Sequence, residues 1–297
     1  MANVLLADVD KYVPVKLATK GLEYLYSNIQ TVRLVRKHTD ITQDFTVGQK
    51  LDIPVPGTWT VAAKAEGSDY VPSVPTDTKV TLTLNKHKYV STIVEDFAKV
   101  MANDTWVSDH MEGMAMALGD QMEDDLIALF AGFSTTTGTS GTYLSDGTLV
   151  DTRKKMNDNK VPPNSRHLVM GTKDGAALLK DTDIKSLMTQ SLPEWMQMGS
   201  LGKLAGFTLW ENDRVAVGPP QNNGAFDPGA LLFGFRKLPD PLPGSGAVGA
   251  TVYDQRTQIA CRVVIQYQGL KGGHLITFDT LYGVIELRDL KGVLVLS

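Results

Sequence analysis

Apolar and polar positions between residues 46 and 130 change period once, and that change predicts the elements. Leu51, Ile53 and Val55 alternate with Asp52, Pro54 and Pro56, the two-residue period of a strand. Pro54 and Pro56 have no N–H to give to a ladder, so this strand belongs at an edge or is poorly paired. The stretch 63–77 carries Gly67, Pro72 and Pro75 and reads as a flexible tip. The chain returns through Val80, Leu82 and Leu84, alternating with the β-formers Thr81 and Thr83, and runs on from Lys86 to Asp96. From Val107 the period is helical. Val107, Met111, Met114, Leu118, Met122, Leu126 and Leu129 step by three or four and make one apolar stripe. Asn103-Asp104 offers a cap. A helix over 104–131 is about 42 Å long, a beam suited to lying over a sheet. Asp109, Glu112, Asp120, Glu123 and Asp124 fill its other faces and read as solvated.

An isolated two-stranded hairpin is marginal in water. Ordering each residue costs about 1–2 kcal/mol of backbone entropy. A long hairpin with prolines on one strand does not offset that alone, so it is expected to become ordered when laid across another molecule, in the first place another copy of this chain.

The flanks are less specific. Val15, Leu17, Leu22, Leu25, Tyr26 and Ile29 recur at mostly helical spacing, as an ordinary first helix or as an arm lying on a neighbour. Residues 133–148 are rich in Ser, Thr and Gly and read as a loop or linker. A second α/β unit starts near Arg166, with a buried strand at 166–171 and a helix from Thr172. Strands follow at 204–210, 231–235, 251–267 and 274–282, and 284–287 and 293–296 close the chain.

Composition removes several classes of function. With 297 residues, 42% hydrophobic and 21% charged, the chain has the make-up of a folded domain. A net charge of −4 argues against a protein whose main task is gripping nucleic acid. The single cysteine, Cys261, lies in a strand-like run and reads as a core residue. The N-terminus lacks the basic region of a signal peptide, and no apolar run approaches the ~18 residues of a membrane span. Gly244 to Gly249 matches G-x-G-x-x-G, but prolines precede it and a strand follows, so no dinucleotide site is expected. His110-Met111-Glu112 lacks the P-C-x-x-C partner of a deaminase zinc motif, and the five histidines are scattered. No catalytic, cofactor or metal residue is assigned, and the chain is not expected to be an enzyme. A small-oligomer enzyme using the Gly244–Gly249 loop is the remote alternative.

Taken in order, the parts resemble the major capsid proteins of tailed bacteriophages, with the Hong Kong 97-like fold, and within them the coat-protein branch that includes phage P22-like shells. The residues that carry the likeness are Ile53 to Gly57, Val80 to Asp96 leading into the long helix, Gly202 to Glu211, and Thr280 to Arg288. The resemblance implies an α+β fold with an N-terminal arm at 1–45, an extended β-hairpin loop at 46–90 and a peripheral domain at 91–165 with a spine helix at 104–131. It further implies a central axial α/β domain at 166–272 and return strands of the peripheral domain at 273–297. On this reading Pro54, Pro56, Trp59, Tyr70, Val80 and Leu82 contact a neighbouring subunit. The implied function is a structural one, a self-assembling icosahedral head shell of hexamers and pentamers around double-stranded DNA touched weakly and without specificity. The implied partners are a separate scaffolding protein and a portal protein. The implied place is the virion, after assembly in the host bacterial cytoplasm. An encapsulin-type nanocompartment shell is the alternative within the same fold.

Overall fold

Among the described residues, two six-stranded sheets and one two-stranded hairpin carry the structure, a computed structural model. It describes residues 16, 18–23, 25, 29–38, 50–57, 59–70, 72–96, 106–180, 200–215, 218, 220–254 and 259–297. The cap proposed at Asn103-Asp104 and the start of the N-terminal arm lie outside the described residues.

The first sheet has the order β1 (Arg36–Lys37), β10 (Leu231–Arg236), β13 (Gly273–Glu286), β12 (Ile259–Gln268) and β11 (Ala247–Asp254), and β4 (Lys86–Glu95) pairs with β13. The second has the order β5 (Thr136–Gly138), β14 (Gly292–Leu296), β9 (Asn222–Phe226), β6 (His167–Met170), β8 (Phe207–Glu211) and β7 (Ser200–Leu204). The hairpin is β2 (Lys50–Val55) against β3 (Thr78–Thr83). Among the described residues each of its strands has a single partner, so β2 keeps an edge there where prolines cost no ladder bond.

The division expected at residue 273 does not follow the sheets. Strands β10 to β12, expected in the axial domain, pair with β13 and through it with β4. Strand β14, expected among the returns to the peripheral domain, lies between β5 and β9 in the other sheet. The chain therefore crosses between sheets at 227–230 and back at 287–291. At this double crossing the Ala230 carbonyl accepts from Leu287 N–H at 2.7 Å and Arg288 N–H at 3.1 Å, and Lys291 meets Asp227 at 2.8 Å. Packing fixes the choice: Phe233 of β10 stacks with Tyr282 of β13 at 5.3 Å between centroids, and Phe235 packs tilted against the same ring at 6.1 Å.

Helix α1 (Thr31–Leu34) precedes a long helix, α2 (Trp106–Ile127), which continues as a 3-10 turn over Ala128–Gly132. Met114, Leu118, Met122 and Leu126 are buried, as the stripe predicted, whereas Met116 is exposed. The side chains at 106–111, including Asp109 and His110, lie outside the described residues, and Glu112 is half-buried. The described positions Ala18, Leu22, Leu25, Ile29, Val32 and Val35 are buried in the chain's own core, which is the ordinary-helix reading.

Residues 133–148 are more ordered than their composition suggested. Strand β5 pairs in parallel with β14. Helix α3 (Asp146–Asp158) starts at Ser145, whose hydroxyl accepts from Thr148 N–H at 3.4 Å. The hydroxyls that made the stretch read as a loop serve as a cap and as a buried Thr137–Thr152 contact of 2.9 Å. Helix α4 (Thr172–Lys180) follows β6. Cys261 is buried in the first sheet, and burial pushes its thiol upward.

Candidate functional site

Alternation along β2 seats the hairpin. Leu51, Ile53 and Val55 are half-buried against the core, while Lys50, Asp52 and Pro54 face outward. Across the ladder Leu51 faces Leu82 and Ile53 faces Val80. Two glycines opposite each other on the first sheet, Gly234 and Gly283, receive the base. A β-carbon on Gly283 would lie 2.3 Å from the Thr83 carbonyl oxygen, and one on Gly234 would lie 2.5 Å from Leu82 Cδ2. The glycines let the hairpin backbone approach where any side chain would hold it off.

Beyond its base the hairpin projects. Between 56 and 79 every described residue is exposed except Gly57 and Pro75, which are half-buried. Four large apolar side chains stand there: Trp59 at 70% exposure, Val61 at 96%, Tyr70 at 81% and Val74 at 89%. Such a concentration of exposed apolar area on one projection is uncommon on a monomer. Local contacts hold it: Gly57 N–H donates to Asp77 Oδ1 at 3.0 Å, and Ser68 Oγ donates to the Ala65 carbonyl at 2.7 Å. Lys64 lies 4.4 Å from the Tyr70 ring centre. Lys79 bonds Asp52 at 2.7 Å across the strands, and that bond, with one from Thr81, holds the Asp52 carboxyl below its usual range.

The six sequence-nominated contact residues separate into three groups. Pro54, Pro56, Trp59 and Tyr70 are exposed. Val80 is half-buried against the chain's own core. Leu82 is fully buried on Gly234 and is not available to a neighbour; alternation placed it on the inner face, and the glycine gap draws it in completely. Val61 and Val74, also exposed, lie in the same Pro- and Gly-containing segment and are not among the six.

The acidic face of α2 positions this assembly. Asp124 takes two bonds from Arg214, at 2.9 and 2.6 Å, just after β8 of the second sheet. Asp125 accepts the Tyr282 hydroxyl at 2.6 Å and pairs with Lys86 at 2.9 Å, both from the first sheet. Glu123, expected on a solvated face, is instead buried. Its Oε1 accepts N–H bonds from Gln30 at 2.7 Å and Val32 at 3.1 Å, capping α1, and its Oε2 accepts Asn212 Nδ2 at 2.9 Å. Burial pushes its carboxyl up, against the lowering effect of Thr31, Val32, Gln30 and Asn212. Glu123→Ala is expected to cost about 2–4 kcal/mol, because it strands two amides and a buried carboxamide. Urea unfolding checks this; a loss under about 1 kcal/mol would mean water replaces the carboxylate freely.

Among the described residues no group of three His, Cys, Asp or Glu side chains is arranged to hold a metal ion. Gly244 and Gly246 have positive φ in an exposed turn that leads into β11, not into a helix.

No family model and no curated protein matches the sequence. Solved structures do. A capsid structure of Cyanophage P-SCSP1u is similar with a TM-score of 0.64 at 13% identity, over 90% of this chain and 88% of that one. A structure of Mycobacterium phage Che8 is similar with a TM-score of 0.61 at 17% identity, over 90% of both chains. A virus-like particle from Pyrococcus furiosus is similar with a TM-score of 0.56 at 10% identity, over 94% of this chain and 97% of that one. The chain thus has the α+β, Hong Kong 97-like fold found in phage capsid subunits.

Proposed function

We propose that this chain is the major capsid (coat) protein of a tailed phage, assembling into an icosahedral head shell of hexamers and pentamers around double-stranded DNA. The observation that carries the reading is the projecting hairpin with Trp59, Val61, Tyr70 and Val74 in solvent, on a fold shared with phage capsid structures. A lone subunit leaves that apolar surface wet, and a lattice of copies covers it. Pro54, Pro56, Trp59 and Tyr70 are the contact residues, with Val80 at the margin. A separate scaffold guides assembly, a portal protein occupies one vertex, and the net charge of −4 keeps contact with DNA weak and non-specific. The site of action is the virion, after assembly in the host bacterial cytoplasm.

The test is sedimentation and negative-stain microscopy of the full chain, with and without a candidate scaffold, beside a variant lacking 59–74. Closed particles are expected from the full chain. The variant should yield folded subunits, changed in stability by under about 1 kcal/mol because shortening a loop alters closure entropy slowly, and no closed shells. Normal shells from the variant would overturn the role of the tip. Particles filled with protein cargo and lacking DNA would move the assignment to an encapsulin-type compartment.

A further inference from the structure

Among the described residues β4 is the longest strand with one side unpaired. It has 10 residues and pairs only with β13, in an unbroken register from Glu95 opposite Gly273 to Lys86 opposite Tyr282. Just past its end, Asp96 N–H donates to the Gly272 carbonyl at 2.9 Å. Antiparallel alternation then turns the backbone groups of the even-numbered residues toward β13, and those of His87, Tyr89, Ser91, Ile93 and Glu95 away from it. Among the described residues these outward groups meet no backbone partner. Val90 and Val94 pack on the core, so the outward residues place their side chains on the other face, all exposed but the half-buried Ile93.

Exposed strand edges are normally defended by proline, charge or a bulge. The edge of β2 carries Pro54. The middle of β4, Tyr89 to Val94, has no proline, no charge and no register shift, and is rich in β-formers. Its charges stand at the two ends and differ in sign: Lys86, His87 and Lys88 at one, Glu95 and Asp96 at the other. Lys86 also meets Asp125 at 2.9 Å and His87 meets Asp279 at 3.0 Å. Asp96 accepts the Tyr267 hydroxyl at 3.2 Å and lies 3.9 Å from His274. Lys88 and Glu95 are in no ion pair among the described residues.

A strand with this pattern is complementary to its own reverse. Laid antiparallel on a second β4 with Ser91 opposite Ser91, it sets His87 opposite Glu95, Tyr89 opposite Ile93 and Lys86 level with Asp96. Opposite charges, and an aromatic ring beside a β-branched residue, are the favourable cross-strand pairs. Moving the two-fold by one residue sets Glu95 opposite Tyr89 or Asn85, and a parallel alignment sets like charges together.

We propose that β4 is a docking edge for a second copy of this chain, with a two-fold axis at Ser91, so that the first sheets of two copies run on as one. Such a contact is isologous and closed. The facing outward residues exchange about ten backbone hydrogen bonds. The contact lies on another element than the hairpin tip and does not depend on the role of the tip.

Cysteine cross-linking in the full chain reads both the contact and its register. In Ser91→Cys the facing α-carbons stand about 5.5 Å apart, within the span of a disulfide. In Tyr89→Cys or Ile93→Cys the identical residues are offset by four positions, about 14 Å along the strand. Under mild oxidation Ser91→Cys is expected to give covalent dimers about tenfold faster than either control. The native Cys261 is buried, and the unmodified chain gives the background. Ser91→Pro removes an outward N–H and no bond to β13, so it should abolish the dimer in sedimentation while urea unfolding still reports a folded subunit. Absence of dimers from Ser91→Cys, or equal rates at all three positions, overturns the docking edge. Shells that assemble while Ser91→Cys stays uncross-linked overturn this contact and leave the role of the tip standing; cross-linked pairs from a chain that builds no shells do the reverse.

Discussion

Phe130→Ala is expected to cost the subunit about 3–5 kcal/mol, the largest loss from any one side chain considered. The ring is fully buried in the 3-10 turn that ends the long helix. It stacks with Phe133 at 6.2 Å and lies 5.6 Å from Phe226, centre to centre. Beneath it is Gly224 of β9, where a β-carbon would come within 2.6 Å of the ring. Phe130 thus fastens the helix to the second sheet through a gap only glycine leaves open. Alanine empties that space, and Gly224 has no side chain with which to refill it. Urea unfolding at constant m-value measures the loss. Phe130→Leu should lose less. A loss under about 1 kcal/mol from Phe130→Ala would show that the joint collapses around the hole.

Gly283→Val is expected to lift the hairpin from its seat, at a cost of about 1–3 kcal/mol. The new β-carbon meets the Thr83 carbonyl oxygen at 2.3 Å, and backbone cannot turn aside as a side chain can. At Gly234 the obstacle is the Leu82 methyl group at 2.5 Å, which has rotamers to use, so Gly234→Ala should be milder. Limited proteolysis within 56–77 separates local lifting from general loss of stability. Faster cleavage there, with the rest of the chain intact, is the expected pattern. Unchanged cleavage and unchanged stability would mean the base is not held by the glycine pair.

Both effects depend on contacts between residues far apart in sequence, and this marks the limit of what could be read beforehand. The hairpin was legible because alternation is local: Leu51, Ile53 and Val55 point one way whatever they meet, and two prolines exclude a central strand. The stripe on the long helix was legible for the same reason, at Met114, Leu118, Met122 and Leu126. Glu123 was not. A carboxylate on a helix reads as solvated until the amides of Gln30 and Val32 and the carboxamide of Asn212 are seen to converge on it. Leu82 was misplaced because periodicity gives a face, not the depth of its burial.

The sequence alone determined the local elements, the free-edged hairpin ahead of a long helix, and, through their order, the fold to which the chain is similar. Tertiary structure alone decided which strands share a sheet. Strands β10 to β12 read much like those of the other unit, and β14 is an apolar run that either sheet could accept. Their partners were selected by cross-strand packing such as Phe233 and Phe235 on Tyr282, and by the glycines that let Phe130 and Thr83 come close. Such choices rest on the summed burial of residues remote along the chain, a quantity no short window of sequence contains.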